Sequence, residues 1–128
     1  MKIRIESGLY GARKATGTCV IIDVFRASST ITAILAMEAK HIIAVKYLKD
    51  ARQLKKENPN YLLIGERRGL KPKGFDYGNS PYDVSTLCLK DRIVIFRSSA
   101  GSHAIIEAQR SNSDEVLIGS FINAKGIA

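Results

Sequence analysis

The sequence predicts an α/β fold, a three-layer α/β/α sandwich around a largely parallel or mixed sheet, in one domain over residues 1–128. Three observations predict it. Short apolar runs alternate with segments whose apolar residues recur at helical spacing. One run, residues 19–25, is nearly all apolar, as suits a central strand covered on both faces. A chain of 128 residues can bury one core of its own.

Taken in order, Lys2, Ile3, Arg4, Ile5 and Glu6 alternate polar with apolar and predict a half-exposed strand. Residues 8–17 read as a basic, glycine-bearing connection. The apolar run at 19–25 follows, interrupted near its end by Asp23. Ser28, Ser29 and Thr30 then open a helix running to about Lys40, whose buried face carries Ile31, Ile34, Leu35 and Ala39. Residues 41–45 predict a strand, and Leu48, Ala51 and Leu54 space a charged surface helix. Residues 61–64 predict the next strand.

A long irregular connection then runs from Gly65 to the strand at 91–96. It carries Glu66, Arg67, Arg68, Asp76 and Asn79 among glycines and prolines. Connections of this length in small domains are mostly functional or disordered. After that strand, residues 97–102 turn into a helix reaching Gln109. A last strand at 115–119 leads to a further helix beginning at 120–124.

In open α/β sheets, ligands bind beyond the carboxyl ends of the strands. Four groups collect there. Asp23 and Arg26 precede the hydroxyls of Ser28, Ser29 and Thr30 at a helix start, where free N–H groups favour an anion. Asp23 lies in a buried run, and a buried carboxylate must be paired or bind a metal. Glu66 and Arg67 follow another strand. Ser98, Ser99, Gly101 and Ser102 form a small-residue turn suited to a phosphate, though without the P-loop pattern. Asp76 to Asn79 form the fourth. His103 and His41 read as non-catalytic. Carboxylates beside arginines and hydroxyls suit Mg²⁺-assisted handling of a phosphate-bearing anion.

Bulk properties narrow the classes. Twenty Lys and Arg against 12 acids give a net charge of +8, which favours anionic partners. No basic arm occurs and tryptophan is absent, so nucleic acid is not the expected partner. No stretch is apolar enough to span a membrane and no signal peptide opens the chain, so a cytoplasmic protein is expected. Cys19 and Cys88 form no CxxC pair, and no disulfide is expected.

Several stretches together resemble the 2-phosphosulfolactate phosphatase family. They are residues 22–31 (Ile-Asp-Val-Phe-Arg-Ala-Ser-Ser-Thr-Ile), Gly65-Glu66-Arg67 with Gly74-Phe75-Asp76-Tyr77-Gly78-Asn79-Ser80-Pro81, residues 98–102, and residues 116–124. The resemblance implies a Mg²⁺-dependent hydrolase that converts 2-phospho-3-sulfolactate to 3-sulfolactate and phosphate, a step of the coenzyme M route. It implies that Asp23 and Glu66 hold the metal or its water, and that Asp76 is a further ligand or base. Arg26, Ser28, Ser29 and Thr30 are expected to hold one anionic group, Arg67 and Asn79 another, and Ser98, Ser99, Gly101 and Ser102 a third. Attack by a metal-oriented water is the preferred route, with a covalent route through Asp23 as its competitor.

Two departures matter. Where the family reads Thr-Thr-Asn-Gly-Thr-Arg, this chain has Ser98, Ser99, Ala100, Gly101, Ser102 and His103. The match also covers only the N-terminal half of the family's length, so the fold is expected to be an incomplete version completed by a homo-oligomer or a complementing C-terminal chain. Two alternatives follow: a catalytically incomplete relative that binds a phosphorylated small anion, and a small basic nucleic-acid-binding domain.

Overall fold

The computed structural model describes residues Met1–Ala128. In chain order the elements are α1 (Gly8–Arg13), β1 (Thr16–Ile22), α2 (Ala27–Ala36), β2 (His41–Ala44), α3 (Leu48–Glu57) and β3 (Leu62–Gly65). α4 (Pro81–Ser85), β4 (Ile93–Arg97), α5 (Gly101–Gln109), β5 (Asn112–Gly119) and α6 (Ala124–Ile127) complete the chain. The fold is α/β, and every paired strand runs parallel to its neighbour. The strands form a three-stranded sheet in the order β2-β4-β3 and a two-stranded sheet of β1 with β5.

Strand alternation sorts side chains onto two faces. Val94 and Phe96 of β4 and Ile64 of β3 enter the main core with Ile31 and Ile34 of α2, Val84 of α4 and Ile105 of α5. Ile95 and Leu63, one residue out of phase, enter a second cluster with Ala51 of α3, Val45 and Phe75. These strands are buried on both faces, which is why they read as continuous apolar runs. α3 covers one side and α2 with α4 the other, giving three layers.

One close approach fixes the end of β3. Gly65 pairs with Arg97 at φ +153°, and a Cβ there would lie 1.9 Å from the Arg97 carbonyl oxygen. Only glycine lets the two backbones meet so tightly.

Several expectations are corrected. Residues 2–6 form no strand and are exposed throughout, because no neighbouring strand is there to pair with them. The connection at 8–17 contains α1, whose Gly11 and Ala12 are buried. β1 is not a central strand covered on both faces. Cys19 and Ile21 pack on the core, while Ile22 is 68% exposed and Val20 also faces outward. α2 ends at Ala36 rather than near Lys40, because Glu38 takes a positive φ of 63° that stops a helix. The region between β3 and β4 is not all irregular. Ser80 caps α4 by accepting from Asp83 N–H at 3.2 Å, with Pro81 in the first turn. The last helix begins at Ala124, after a turn over residues 121–123.

Candidate active site

The carboxyl ends of β1, β3 and β4 converge on one cleft of about 280 Å³. Asp23, Phe25, Arg26, Glu66, Gly69, Asn79, Ser98, Ser99 and Ala100 line it. The β1 end supplies Asp23 and leads through Arg26 into α2. The β3 end supplies Glu66, and the β4 end supplies Ser98 and Ser99 before α5. Neither α2 nor α5 has a side-chain cap from its N-cap residue, Arg26 or Ala100. Ser98 Oγ instead takes the Ser102 N–H of α5 at 2.8 Å, and the Asp23 carbonyl takes the Ser28 N–H of α2 at 2.9 Å, while the positive dipole ends of both helices still favour negative charge there.

Glu66 is 7% exposed and heavily engaged. Its Oε2 accepts from Gly69 N–H at 2.7 Å and from the Ser99 hydroxyl at 3.0 Å, and Oε1 accepts from Ser99 N–H. Burial pushes the carboxyl up. The amides of Gly69 and Ser99, the Ser99 hydroxyl and the Arg97 guanidinium outweigh that effect and hold it below the usual range. Glu66 is thus kept as a carboxylate, with lone pairs left for one more partner. The donors are set by local structure. Arg67 and Leu70 exchange backbone bonds across a tight turn, Gly69 takes φ +83°, and its N–H points back at Glu66.

Asp23 is half-buried rather than fully buried, and no protein donor or cation engages its carboxylate. Its place against α5 depends on Gly101. A Cβ at Gly101 would lie 2.3 Å from Ala27 Cβ and 3.0 Å from Asp23 Oδ2. Arg26 reaches across the cleft to the Gly69 carbonyl at 3.4 Å. Asn79 is 6% exposed, and its Oδ1 has no hydrogen-bond partner.

Of the remaining expected site residues, only Ser98 also lines the cleft. Ser28 Oγ accepts from Asp23 N–H at 2.8 Å and donates to the Ile21 carbonyl at 3.3 Å. Ser29 donates to Val24 C=O and Thr30 to Arg26 C=O. These buried hydroxyls shape the turn around Asp23 and do not line the cleft. Ser98 and Ser102 exchange reciprocal bonds: Ser102 N–H donates to Ser98 Oγ at 2.8 Å and Ser98 N–H to Ser102 Oγ at 3.0 Å. Arg67 is exposed and outside the lining. Asp76 is also outside it. Its Oδ2 accepts from Leu63 N–H at 2.8 Å and pairs with Lys55 at 3.3 Å, which pins the long connection to the edge of β3.

Arg97 was not singled out by its residue type, yet it ties three strand ends together. Its Nε donates to Lys46 C=O at 3.2 Å and a terminal nitrogen donates to Glu66 C=O at 2.7 Å. His103 meets the same Lys46 carbonyl at 3.0 Å, a packing role consistent with its non-catalytic reading. Phe25, Gly69 and Ala100 also line the cleft, and their residue types carry no chemical signal that would mark them. Both cysteines are free, and burial pushes the Cys19 thiol up, away from nucleophilic use.

A hard divalent cation fits the donors present. No three His, Cys, Asp or Glu residues gather into a cluster. The cleft instead offers the unengaged Asp23 carboxylate and the ionised Glu66, and its lining residue Asn79 holds a buried amide oxygen with no partner. All are oxygens, and Mg²⁺ uses few protein ligands while keeping several waters.

Over residues 6–128 the chain matches the family described as 2-phosphosulpholactate phosphatase. It is 40% identical over 109 residues to a probable 2-phosphosulfolactate phosphatase of Pseudothermotoga lettingae, covering 85% of this chain and 46% of that protein. Similar proteins of the same description occur in Thermoplasma acidophilum, at 35% identity over 81% of this chain and 46% of the relative, and in Clostridium novyi, at 38% over 87% and 47%. The chain spans about half the length of the curated relatives it matches.

Proposed function

The chain belongs to the 2-phosphosulfolactate phosphatase family, and from that premise we propose that its cleft binds Mg²⁺ and hydrolyses 2-phospho-3-sulfolactate to 3-sulfolactate and phosphate. The observation that carries this reading is the meeting of Asp23, Glu66 and Arg26 in one cleft beside the starts of α2 and α5. The substrate would be a small anion carrying phosphate, carboxylate and sulfonate groups, and a net charge of +8 would draw it in.

Asp23 and Glu66 would hold the cation. When bound, Mg²⁺ supplies charge neutralisation at the phosphoryl oxygens and orients a water. Arg26 offers a planar fork to one anionic group, and the positive dipole ends of α2 and α5 would favour another. No protein donor engages the Asp23 carboxylate, so an oxygen not used on the cation would be free to take a proton from the attacking water. The water would add to phosphorus as the bond to the ester oxygen breaks, and the proton taken up by Asp23 would pass to that oxygen so that 3-sulfolactate leaves as the alcohol. A nucleophilic Asp23 that forms an acyl phosphate is the alternative.

The test is phosphate release from 2-phospho-3-sulfolactate with Mg²⁺ and after chelation. Release that stops on chelation is expected. A well-folded sample that releases none under either condition contradicts hydrolysis and leaves binding of a phosphorylated anion.

A further polypeptide layer covering the outer face of β1 and β5 is part of the same proposal. Val20 and Ile22 expose apolar surface there, and Phe121 and Ile122 are exposed in the turn just beyond β5. A homo-oligomeric partner or a complementing chain would bury it. The protein's place of action is proposed to be the cytoplasm; no helix is long and apolar enough to cross a membrane.

A further inference from the structure

We propose that Asn79 is a cation ligand: its amide oxygen joins Asp23 and Glu66 to complete the oxygen set for a divalent metal. This inference rests on the Mg²⁺-dependent reading above and assigns Asn79 a different job from holding substrate.

The argument starts from a missing bond. Asn79 is 6% exposed, and its Oδ1 is the one buried side-chain polar atom without a partner. A buried acceptor left unmade costs about 1–3 kcal/mol, and native structures hold few of them. The atom belongs to a residue lining the same cleft as Asp23 and Glu66. An anion cannot satisfy a carbonyl oxygen, because both are acceptors. A cation or a donor can.

Charge points the same way. No third His, Cys, Asp or Glu gathers with Asp23 and Glu66, so a further protein ligand from the cleft lining would be a neutral oxygen. Two carboxylates and one divalent cation sum to zero. A third carboxylate would leave the site negative and repel a polyanion. An amide oxygen adds a ligand and no charge, which suits a site that must also admit phosphate.

The backbone around Asn79 is firmly held, as a ligand position requires. Tyr77, two residues earlier, donates its N–H to Leu63 C=O and accepts from Gly65 N–H. Ser80, the next residue, caps α4, whose Val84 is fully buried in the main core. Asn79 is thus fixed between β3 and a helix packed on α2.

Mn²⁺ is the probe, since it takes the same hard oxygen ligands and is read by electron paramagnetic resonance. Titrations would compare the unaltered chain with Asn79→Leu, which removes the oxygen, and Asn79→Asp, which keeps one. Inorganic phosphate binding without metal would be measured alongside. The expected result is Mn²⁺ affinity lowered at least about tenfold by Asn79→Leu, retained or raised by Asn79→Asp, with phosphate affinity unchanged by Asn79→Leu. Equal Mn²⁺ affinity in the unaltered chain and Asn79→Leu overturns the inference while the Mg²⁺ reading stands. Unchanged Mn²⁺ affinity with phosphate binding lost in both variants overturns it in favour of an amide N–H held to the anion. No Mn²⁺ binding by the unaltered chain overturns both.

Discussion

Ser99 grips Glu66 twice, through its backbone N–H to Oε1 and its hydroxyl to Oε2 at 3.0 Å, so the end of β4 holds the end of β3 in its ionised state. Glu66 stays a carboxylate although burial opposes it. The sign follows. A carboxyl lowered in the folded state adds stability that is present above its ordinary value and lost as pH falls through the lowered one.

Removing the hydroxyl should expose that balance. Ser99→Ala is expected to cost about 1 kcal/mol of stability and to let Glu66 titrate at higher pH. The acid limb of Mn²⁺ binding, followed against pH, should move upward. An unmoved limb would mean that the backbone amides alone hold Glu66.

The two arginines after strand ends should behave differently. Arg26 lines the cleft and Arg67 does not. Arg26→Ala should weaken phosphate binding by about 1.5–3 kcal/mol, measured by calorimetry. Arg67→Ala should change it by less than about 0.5 kcal/mol. Equal losses would place the anion on the outer turn instead.

Gly101 should tolerate no side chain. Its substitution by alanine places Cβ against Ala27 at 2.3 Å and near Asp23 Oδ2 at 3.0 Å. Gly101→Ala is expected to cost about 1–3 kcal/mol in denaturant unfolding. It should also impair cation binding, because the atoms that must shift carry Asp23. Gly126→Ala, in open space, serves as the control.

Away from the cleft, Glu107 joins three elements. It accepts from Lys46 and from Arg13 at 2.8 Å, and these bonds lower its carboxyl to about 2 from an ordinary 4.5. Its contribution should be complete above pH 4.5 and fade as pH falls toward 2. Unfolding free energy measured across that window should fall less steeply in Glu107→Gln than in the unaltered chain. Parallel slopes would show that Glu107 titrates alike in the folded and unfolded states, so that these pairs add no pH-dependent stability.

How far the sequence revealed the fold depended on whether neighbours reinforced the local pattern. β3 and β4 were legible because both faces are covered, so nearly every side chain is apolar. Ile3 and Ile5 alternate correctly for a strand, yet nothing lies beside them to accept their backbone bonds. β1 reads as a central strand because its outward residues Val20 and Ile22 are apolar, and exposure is invisible in residue type. α4 carried a readable Ser80-Pro81-x-Asp83 start that length alone obscured.

Within the cleft, Asp23, Arg26, Glu66, Asn79, Ser98 and Ser99 were legible as polar groups after strands. Ser28, Ser29, Thr30 and Ser102 sit in the same motifs but spend their hydroxyls on nearby backbone groups. Asp76 looked like a ligand because a carboxylate in a glycine-rich loop has two uses. Only the Leu63 amide beside it shows that here it anchors the loop.

The most direct test of the account is phosphate release from 2-phospho-3-sulfolactate in Mg²⁺, comparing the unaltered chain with Asp23→Asn under identical conditions. Release by the unaltered chain, lost in a folded Asp23→Asn variant, is the predicted result. Undiminished release by Asp23→Asn would contradict the placement of the chemistry at the end of β1.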